Sequence, residues 1–446
     1  MLEELARRTQ VRTAKGVAHA VSGMVSTGYL PPGTQLPTVR TVARHLGISP
    51  ATVSEAWQLL AGRGLVETAG RRGSFVRASP PPQSQRRFRH VTGSDLPLDL
   101  STGYPDAALL PDLRPFLAEL AAGPAFAGYP DHEIDPALDE LLGAALPLGC
   151  GPARTVVPDY LSALAELLPV VGGYGTPVVV ARAHFAPDLD LIERFGQVPV
   201  PVPMDDDGLD VAGVTAALEQ GAGVVMLQPR VHNPTGLVTS PERLEQIATV
   251  CASHGAWIIE DDYFGDLAQH PMASAATWSE RTVSVRSFAK EFHPDVRVCV
   301  VAGPDDVIER LRRRRAGGGW VSRVNQDLLR LMLTSPSVAA AVRHARDAYA
   351  GRRQSFLDAM ASHGVPLRSK DGFNVWVPVT SERAALVSLA ARGISVAPGS
   401  AFVVDPGLGD HIRLSVAGLG TDVPEVAEAV AAASQSHFSS RAGSGG

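Results

Sequence analysis

Lysine is almost missing from this chain. Only Lys15, Lys290 and Lys370 carry an amine among 40 basic residues, so chemistry that needs an amine nucleophile has three candidates. Cysteine is equally sparse. Cys150, Cys251 and Cys299 stand far apart, which excludes a metal-ligand pattern and a disulfide framework and fits a reducing compartment. No run of about 18 uncharged apolar residues is present to span a membrane. Met1 leads into the polar stretch LEELARRTQVRTAK, which lacks the apolar core of a secretory leader. No internal repeat is found. A cytoplasmic protein is expected.

What is present describes a large soluble protein with more than one folding unit, because 446 residues with 45% hydrophobic and 19% charged content exceed a single ordinary core. The net charge of -6 hides an asymmetry: residues 1–78 hold ten Lys/Arg against four acids and carry +6, which leaves -12 on the remainder. A small basic head on an acidic body points to the head as the part that meets a polyanion. The stretch Ser79-Pro80-Pro81-Pro82-Gln83-Ser84-Gln85-Arg86-Arg87-Phe88-Arg89 interrupts the periodic pattern and reads as an extended linker. The expected division is therefore a head at 1–78, a linker at 79–95, a body at 96–433 and a disordered Ser/Gly-rich tail at 434–446.

The head shows three helical apolar faces, Val17/Val21/Met24, Val39/Val42/Ala43/Leu46 and Val53/Trp57/Leu60. Between the second and third lies Gly47-Ile48-Ser49-Pro50, a tight turn in which Ser49 can cap the third helix and Pro50 suits its first turn. That is a helix-turn-helix. The segments Leu65–Thr68 and Ser74–Arg77 then pair across Gly70-Arg71-Arg72-Gly73, forming a wing with two arginines at its tip. From Pro32-Gly33-Thr34-Gln35-Leu36-Pro37-Thr38-Val39-Arg40 to Gly73-Ser74-Phe75-Val76 the head resembles the GntR family of winged-helix regulators. The resemblance implies DNA contacts from Arg40, Ser49, Ala51, Thr52 and Gly73, while Arg40 and the wing-tip Arg71 and Arg72 are the expected phosphate anchors. Pro50 stands where that family often has a basic residue, which leaves more of the affinity to the DNA backbone.

The body alternates apolar runs with helical stretches, as a parallel sheet covered on both faces requires: Val178–Val180, Val224–Leu227, Trp257–Ile259, Val283–Val285 and Val298–Val301. Such sheets deliver functional groups at the carboxyl ends of their strands. Asn233 follows the second run, Asp261 and Tyr263 follow the third, and Ser287 and Lys290 follow the fourth; Arg413 lies near the C-terminus. Pyridoxal 5'-phosphate (PLP) asks for this set. Its aldehyde needs a lysine amine, its ring nitrogen an acid, and its phosphate hydroxyl and cationic donors. A lone Ser-x-x-Lys or a buried Asp-Asp-Tyr is more often structural. Their order and spacing together carry the signal.

Residues from about 98 to 430 resemble the fold-type I aminotransferases, and head and body together resemble the MocR-type GntR regulators. The fold class implied is α/β, a winged helix-turn-helix joined to a mainly parallel sheet with large and small subdomains. Residue by residue, the resemblance implies covalent attachment at Lys290, Asp261 on the ring nitrogen, and Asn233 and Tyr263 on the ring hydroxyl. It also implies Ser287 and Arg297 on the phosphate, with Tyr129 supplied by the partner of a homodimer. Arg413 would clamp the carboxylate of an amino-acid-like effector. Two stretches depart from the pattern. Val157-Pro158-Asp159-Tyr160-Leu161-Ser162 lacks the usual glycine and glutamine of the phosphate loop, so Asp159 either opposes the phosphate or caps the next helix. Ala183-His184-Phe185-Ala186 replaces an Asp-Pro-Gly-aromatic turn, with Phe185 able to stack on the ring. The expected function is a PLP-dependent DNA-binding regulator. A working aminotransferase with an accessory head, or a regulator whose body has lost PLP, remain open at this point.

Overall fold

The computed structural model describes residues 1–436, apart from 10–11, 27–28, 32, 63–65, 69–72, 77–94, 124–127, 130–131, 148, 174 and 317. The linker at 79–95 therefore lies almost wholly outside the described residues, and so does the tail beyond 436. Arg71 and Arg72 at the wing tip also lie outside them.

The head is built from α1 (Leu2–Arg8), α2 (Ala14–Ser26), α3 (Val39–Leu46), α4 (Pro50–Gly62), β1 (Val66–Thr68) and β2 (Ser74–Val76). Helix α1 was not legible as an element in the polar start of the chain. Glu3 and Glu4 in its first turn and Arg7 and Arg8 in its last complement the helix dipole, Arg8 pairs with Glu4 at 2.6 Å, and Leu5 is buried. Thr38 caps α3, whose end is closed by Gly47 at φ 65. Ser49 accepts from the Thr52 amide at 3.1 Å and caps α4, as its sequence pattern predicts. Val66 pairs with Val76 and Thr68 with Ser74 in the antiparallel wing. Val17, Val21, Met24, Val42, Leu46, Val53, Trp57 and Leu60 share one core with Leu5 and Leu36.

The body opens with β3 (Leu98–Asp99), α5 (Arg114–Ala122) and α6 (Pro136–Ala145). The large part continues through β4 (Ala153–Val157), α7 (Tyr160–Val171), β5 (Pro177–Ala181), α8 (Ala186–Arg194) and β6 (Val198–Val202). A small hairpin of β7 (Met204–Asp205) and β8 (Gly208–Leu209) leads to α9 (Val211–Glu219), β9 (Val224–Leu227), α10 (Pro241–His254) and β10 (Trp257–Asp262). Then come β11 (Thr282–Ser287), β12 (Cys299–Gly303) and α11 (Asp305–Arg314). After α12 (Arg323–Leu333) and α13 (Pro336–Ser362), the smaller part comprises β13 (Asn374–Pro378), α14 (Glu382–Ala390), β14 (Ile394–Ser395), β15 (Ala397–Pro398), β16 (His411–Ser415) and α15 (Val423–Ser434). Strand β3 pairs in parallel with β14, so the start of the body is held by its C-terminal part.

The central sheet has seven strands in the order β4-β12-β11-β10-β9-β5-β6. Both faces are covered. Within β5, Val178 and Val180 join the core beneath α7 and α11, while Val179 and Ala181 join the core beneath α9 and α10. All neighbours are parallel except around β12, which runs antiparallel to both β11 and β4. The Val298–Val301 run thus differs from the expected parallel strand. The connection 288–298 holds only the short turn Pro294–Val296, too little for the crossover that a parallel return needs. Strand β10 also runs on through Asp262 rather than ending at Ile259, because Glu260 is satisfied inside the sheet by Ser274 Oγ at 2.5 Å, the Ala275 amide at 2.6 Å and Ser284 Oγ at 2.9 Å. Helix α15 continues to Ser434, one residue past the expected edge of the body. Among the described residues no helix is long and apolar enough to cross a membrane.

Candidate cofactor site and the basic head

The ends of three neighbouring strands of the sheet meet at one cavity of about 470 Å³. Asn233 and Gln228 reach it from beyond β9, Asp261 from β10 and Tyr263 just after it, Ser287 from the end of β11, and Lys290 from the turn that follows. Arg413 enters from β16 in the smaller part. There Ile412 and Leu414 face the apolar core while the alternate residue Arg413 faces the cavity. Phe185, at the N-terminus of α8, lines the same space. Lys290, Asn233, Asp261, Tyr263, Ser287, Arg297, Phe185 and Arg413, scattered over 229 positions of sequence, are brought together.

The Lys290 Nζ donates to the Gly103 carbonyl at 2.5 Å and lies 5.6 Å from the centre of the Tyr263 ring and 5.7 Å from that of Phe373. Burial, helped by the nearby Arg413 charge and opposed by Asp261, pushes its pKa down to about 8. A neutral amine is therefore within easy reach near physiological pH. Asp261 accepts from Gln228 Nε2 at 2.7 Å through one oxygen, while its Oδ1 is buried without a partner. Burial, and the nearby Asp188 carboxylate after it, hold its proton affinity well above the ordinary carboxylate range. The Asn233 Oδ1 is likewise unmatched, and the Tyr263 hydroxyl approaches Asn374 without a hydrogen bond of good geometry. Arg413 donates through Nη2 to the Ser101 carbonyl, its guanidinium sits 5.0 Å from the Phe402 ring centre, and its Nε is unmatched. Burial lowers its pKa to about 10.

Buried polar atoms without partners are costly and mark places where a ligand supplies the missing contacts. Here an acid, an amide oxygen and a phenol face a cavity that also holds an amine and a guanidinium. The donor set fits PLP.

The opposite end of the cavity is different. Asp159 is the N-cap of α7: its Oδ1 accepts from the Ser162 amide at 2.8 Å and its Oδ2 from Ser162 Oγ at 2.9 Å. The same carboxylate forms an ion pair with Arg297, whose φ of 49 places it in the left-handed region. Ser287 lines the cavity nearby. Of the two roles open to Asp159, the structure shows the cap, together with an ion pair to Arg297.

Beneath Asp261 lies a buried cluster that sequence reading missed. Asp188 is fully buried in the first turn of α8 and accepts from Tyr160 Oη at 3.0 Å, with His184 Nε2 also at 3.0 Å. Burial raises the proton affinity of Asp188, while His184 opposes the rise. No spacing rule pointed to it, because His184 precedes α8 while Asp188 lies in its first turn. Gln228 carried no signal either, being 33 residues from Asp261.

Tyr129 does not reach this cavity in its own chain. It is 83% exposed and meets Trp320 edge-on at a centroid distance of 5.5 Å. In the head, Arg40 is exposed on α3, Ala51 is exposed and Thr52 partly so at the start of α4, Ser49 serves as cap, and Gly73 adopts φ 100 at the start of β2.

Comparison with known proteins matches residues 97–432 to the aminotransferase class I and II family and residues 13–76 to the gntR family of bacterial regulatory proteins. The vitamin B6 salvage pathway transcriptional repressor PtsJ of Salmonella typhimurium is 32% identical over 91% of this chain and 94% of its own. The pyridoxine biosynthesis transcriptional regulator PdxR of Corynebacterium glutamicum is 26% identical, covering 84% of this chain and 85% of its own. The probable rhizopine catabolism regulatory protein MocR of Rhizobium meliloti is 23% identical, covering 76% and 75%. Among solved structures, a kynurenine aminotransferase of Pyrococcus horikoshii superposes with a TM-score of 0.71 at 20% identity, over 80% of this chain and 94% of that one, which shows a shared fold.

Proposed function

The chain belongs to the aminotransferase class I and II family and carries a GntR-type DNA-binding head, the make-up of the MocR-type transcriptional regulators, and from that premise we propose that it is a regulator whose body holds PLP at Lys290. The observation that carries the reading is the set of unmatched buried atoms on Asp261, Asn233 and Tyr263 around the Lys290 amine. When bound, PLP supplies an aldehyde carbon for reversible linkage to amines and a ring that withdraws electrons.

The chain's own residues supply the rest. Lys290 offers a largely desolvated amine whose lowered proton affinity favours the nucleophilic form. Asp261, oriented by Gln228, holds a proton between itself and a ring nitrogen. Asn233 and Tyr263 hold a ring hydroxyl, Phe185 packs on the ring face, and Ser287 and Arg297 hold a phosphate. Tyr129 of a second copy completes that end in a homodimer, which its exposure in the single chain allows. Arg413 clamps the carboxylate of an amino-acid-like effector that competes with Lys290 for the cofactor. In the head, Arg40, Ser49, Ala51, Thr52 and Gly73, with Arg71 and Arg72, contact the operator.

A second reading of the signal is favoured by the names of two relatives, which assign them to vitamin B6 salvage and pyridoxine biosynthesis. Under it the cofactor concentration itself is sensed, and an amino compound is not required. Operator binding followed by fluorescence anisotropy separates the two. Binding that changes with PLP alone supports the cofactor as signal, whereas binding that changes only when an amino acid is added to the PLP-loaded protein supports the amino compound. Binding indifferent to both overturns the sensing role, and sustained steady-state transamination would make the body an enzyme.

A further inference from the structure

At the phosphate end of the cavity the chain supplies its own anion. Three features that ordinarily serve a phosphate are a helix N-terminus, a hydroxyl and a guanidinium. In this chain the N-terminus of α7 donates its Ser162 amide to Asp159, the Ser162 hydroxyl donates to the same carboxylate, and Arg297 pairs with it. One carboxylate thus engages a backbone donor, a hydroxyl and the cation. The other cationic side chains lining the cavity, Lys290 and Arg413, belong to the end that holds the amine and the effector carboxylate. With Asp159 paired to Arg297, a phosphate dianion meets a cation, a helix amide and a hydroxyl that are already engaged, and Ser287 is the hydroxyl left to it. An aldehyde without a phosphate pays no such cost.

Resting on the reading that Lys290 binds a pyridine aldehyde, we propose that Asp159 is a specificity-determining residue that levels the site's preference between the phosphorylated and the unphosphorylated aldehyde. The body then registers both forms rather than PLP alone. Asp159 achieves this by holding Arg297 and the Ser162 donors, so that a phosphate must share or displace them while a hydroxymethyl group leaves the pair intact. Asparagine is the informative replacement, because it keeps the shape and the capping ability of aspartate and removes only the charge.

The experiment is a titration of the full chain with PLP and with pyridoxal, each followed by the visible band of the lysine-bound aldehyde, in wild type, Asp159→Asn, Asp159→Gly and Lys290→Ala. In wild type the two dissociation constants should lie within about tenfold of each other, since among the described residues the one cation at the phosphate end, Arg297, is already paired with Asp159. In Asp159→Asn, PLP should tighten by at least about tenfold, the effect of freeing a charge-assisted partner, while pyridoxal stays unchanged. Asp159→Gly, which also frees the Ser162 amide, should show the same direction. Equal shifts for the two aldehydes in both variants, or PLP binding no tighter in either, would overturn the assignment of Asp159. Loss of the band for both aldehydes in wild type, or its persistence in Lys290→Ala, would instead overturn the cofactor reading on which the proposal rests.

Discussion

Replacing Lys290 by methionine should make the cofactor-free protein more stable at neutral pH, although it removes the residue on which the proposed chemistry depends. Burial lowers the Lys290 pKa from 10.5 to about 8. An unfolded lysine keeps its proton up to about pH 10.5, so between about pH 8 and 10.5 the unfolded state binds more protons than the folded one. Stability therefore rises with pH across that window and is lowest below it. At about 1.4 kcal/mol per pH unit, holding a charged Lys290 costs the folded body about 3 kcal/mol at pH 7. Methionine fills a similar volume between the Tyr263 and Phe373 rings but forfeits the bond to the Gly103 carbonyl, worth about 1 kcal/mol. The net gain expected is about 2 kcal/mol at pH 7, shrinking to near zero by about pH 10 as the wild-type amine loses its proton. Urea unfolding of cofactor-free wild type and Lys290→Met at the two pH values measures this directly, following the transition of the body. A variant no more stable than wild type at pH 7, or one whose gain is the same at both pH values, would show that the site does not store this electrostatic cost.

Three further outcomes are expected. Wild type incubated with PLP should develop a visible band that Lys290→Ala lacks; absorbance checks this, and a colourless wild type counts against the cofactor. Asp261→Asn keeps the shape but cannot hold a ring proton by its charge, and PLP should bind at least about tenfold more weakly, read from the same titration; unchanged affinity would remove Asp261 from the ring nitrogen. Arg40→Ala should weaken binding to all DNA sequences alike and reduce the slope of log affinity against log salt by about one. If it instead changes which operator is preferred and leaves the slope alone, Arg40 reads bases.

Much of the site was legible because strand ends are predictable from apolar runs, and groups just beyond them converge in an open α/β sheet. Asn233, Asp261, Tyr263, Ser287 and Lys290 were found in that way. The groups that hold them in place were not. Gln228 acts on Asp261 from 33 residues away and Tyr160 on Asp188 from 28, separations at which a single sequence carries no spacing rule. Helix α1 was hidden for a different reason: one buried residue, Leu5, makes too narrow an apolar stripe to show a period. The direction of β12 depends on the length and content of a connection, which hydrophobicity does not encode. Asp159 reads in the sequence as either a repelling charge or a cap, with Arg297 as a cation able to offset it; their contact spans 138 residues, so the sequence could not decide between the roles.

The first residues of the body after 77–94 are tied to the floor of the cavity. The carbonyls of Ser101 and Gly103, only a few positions beyond β3, receive their hydrogen bonds from Arg413 and Lys290. These are the two groups assigned to the effector carboxylate and to the aldehyde. An amine that becomes bonded to carbon has fewer hydrogens to give, and a guanidinium that turns to a carboxylate has fewer donors left for a peptide. On the proposed function, loading the cavity would draw away the donors that hold the Ser101 and Gly103 carbonyls, so the stretch just after β3 would lose contacts each time an aldehyde and a carboxylate bind.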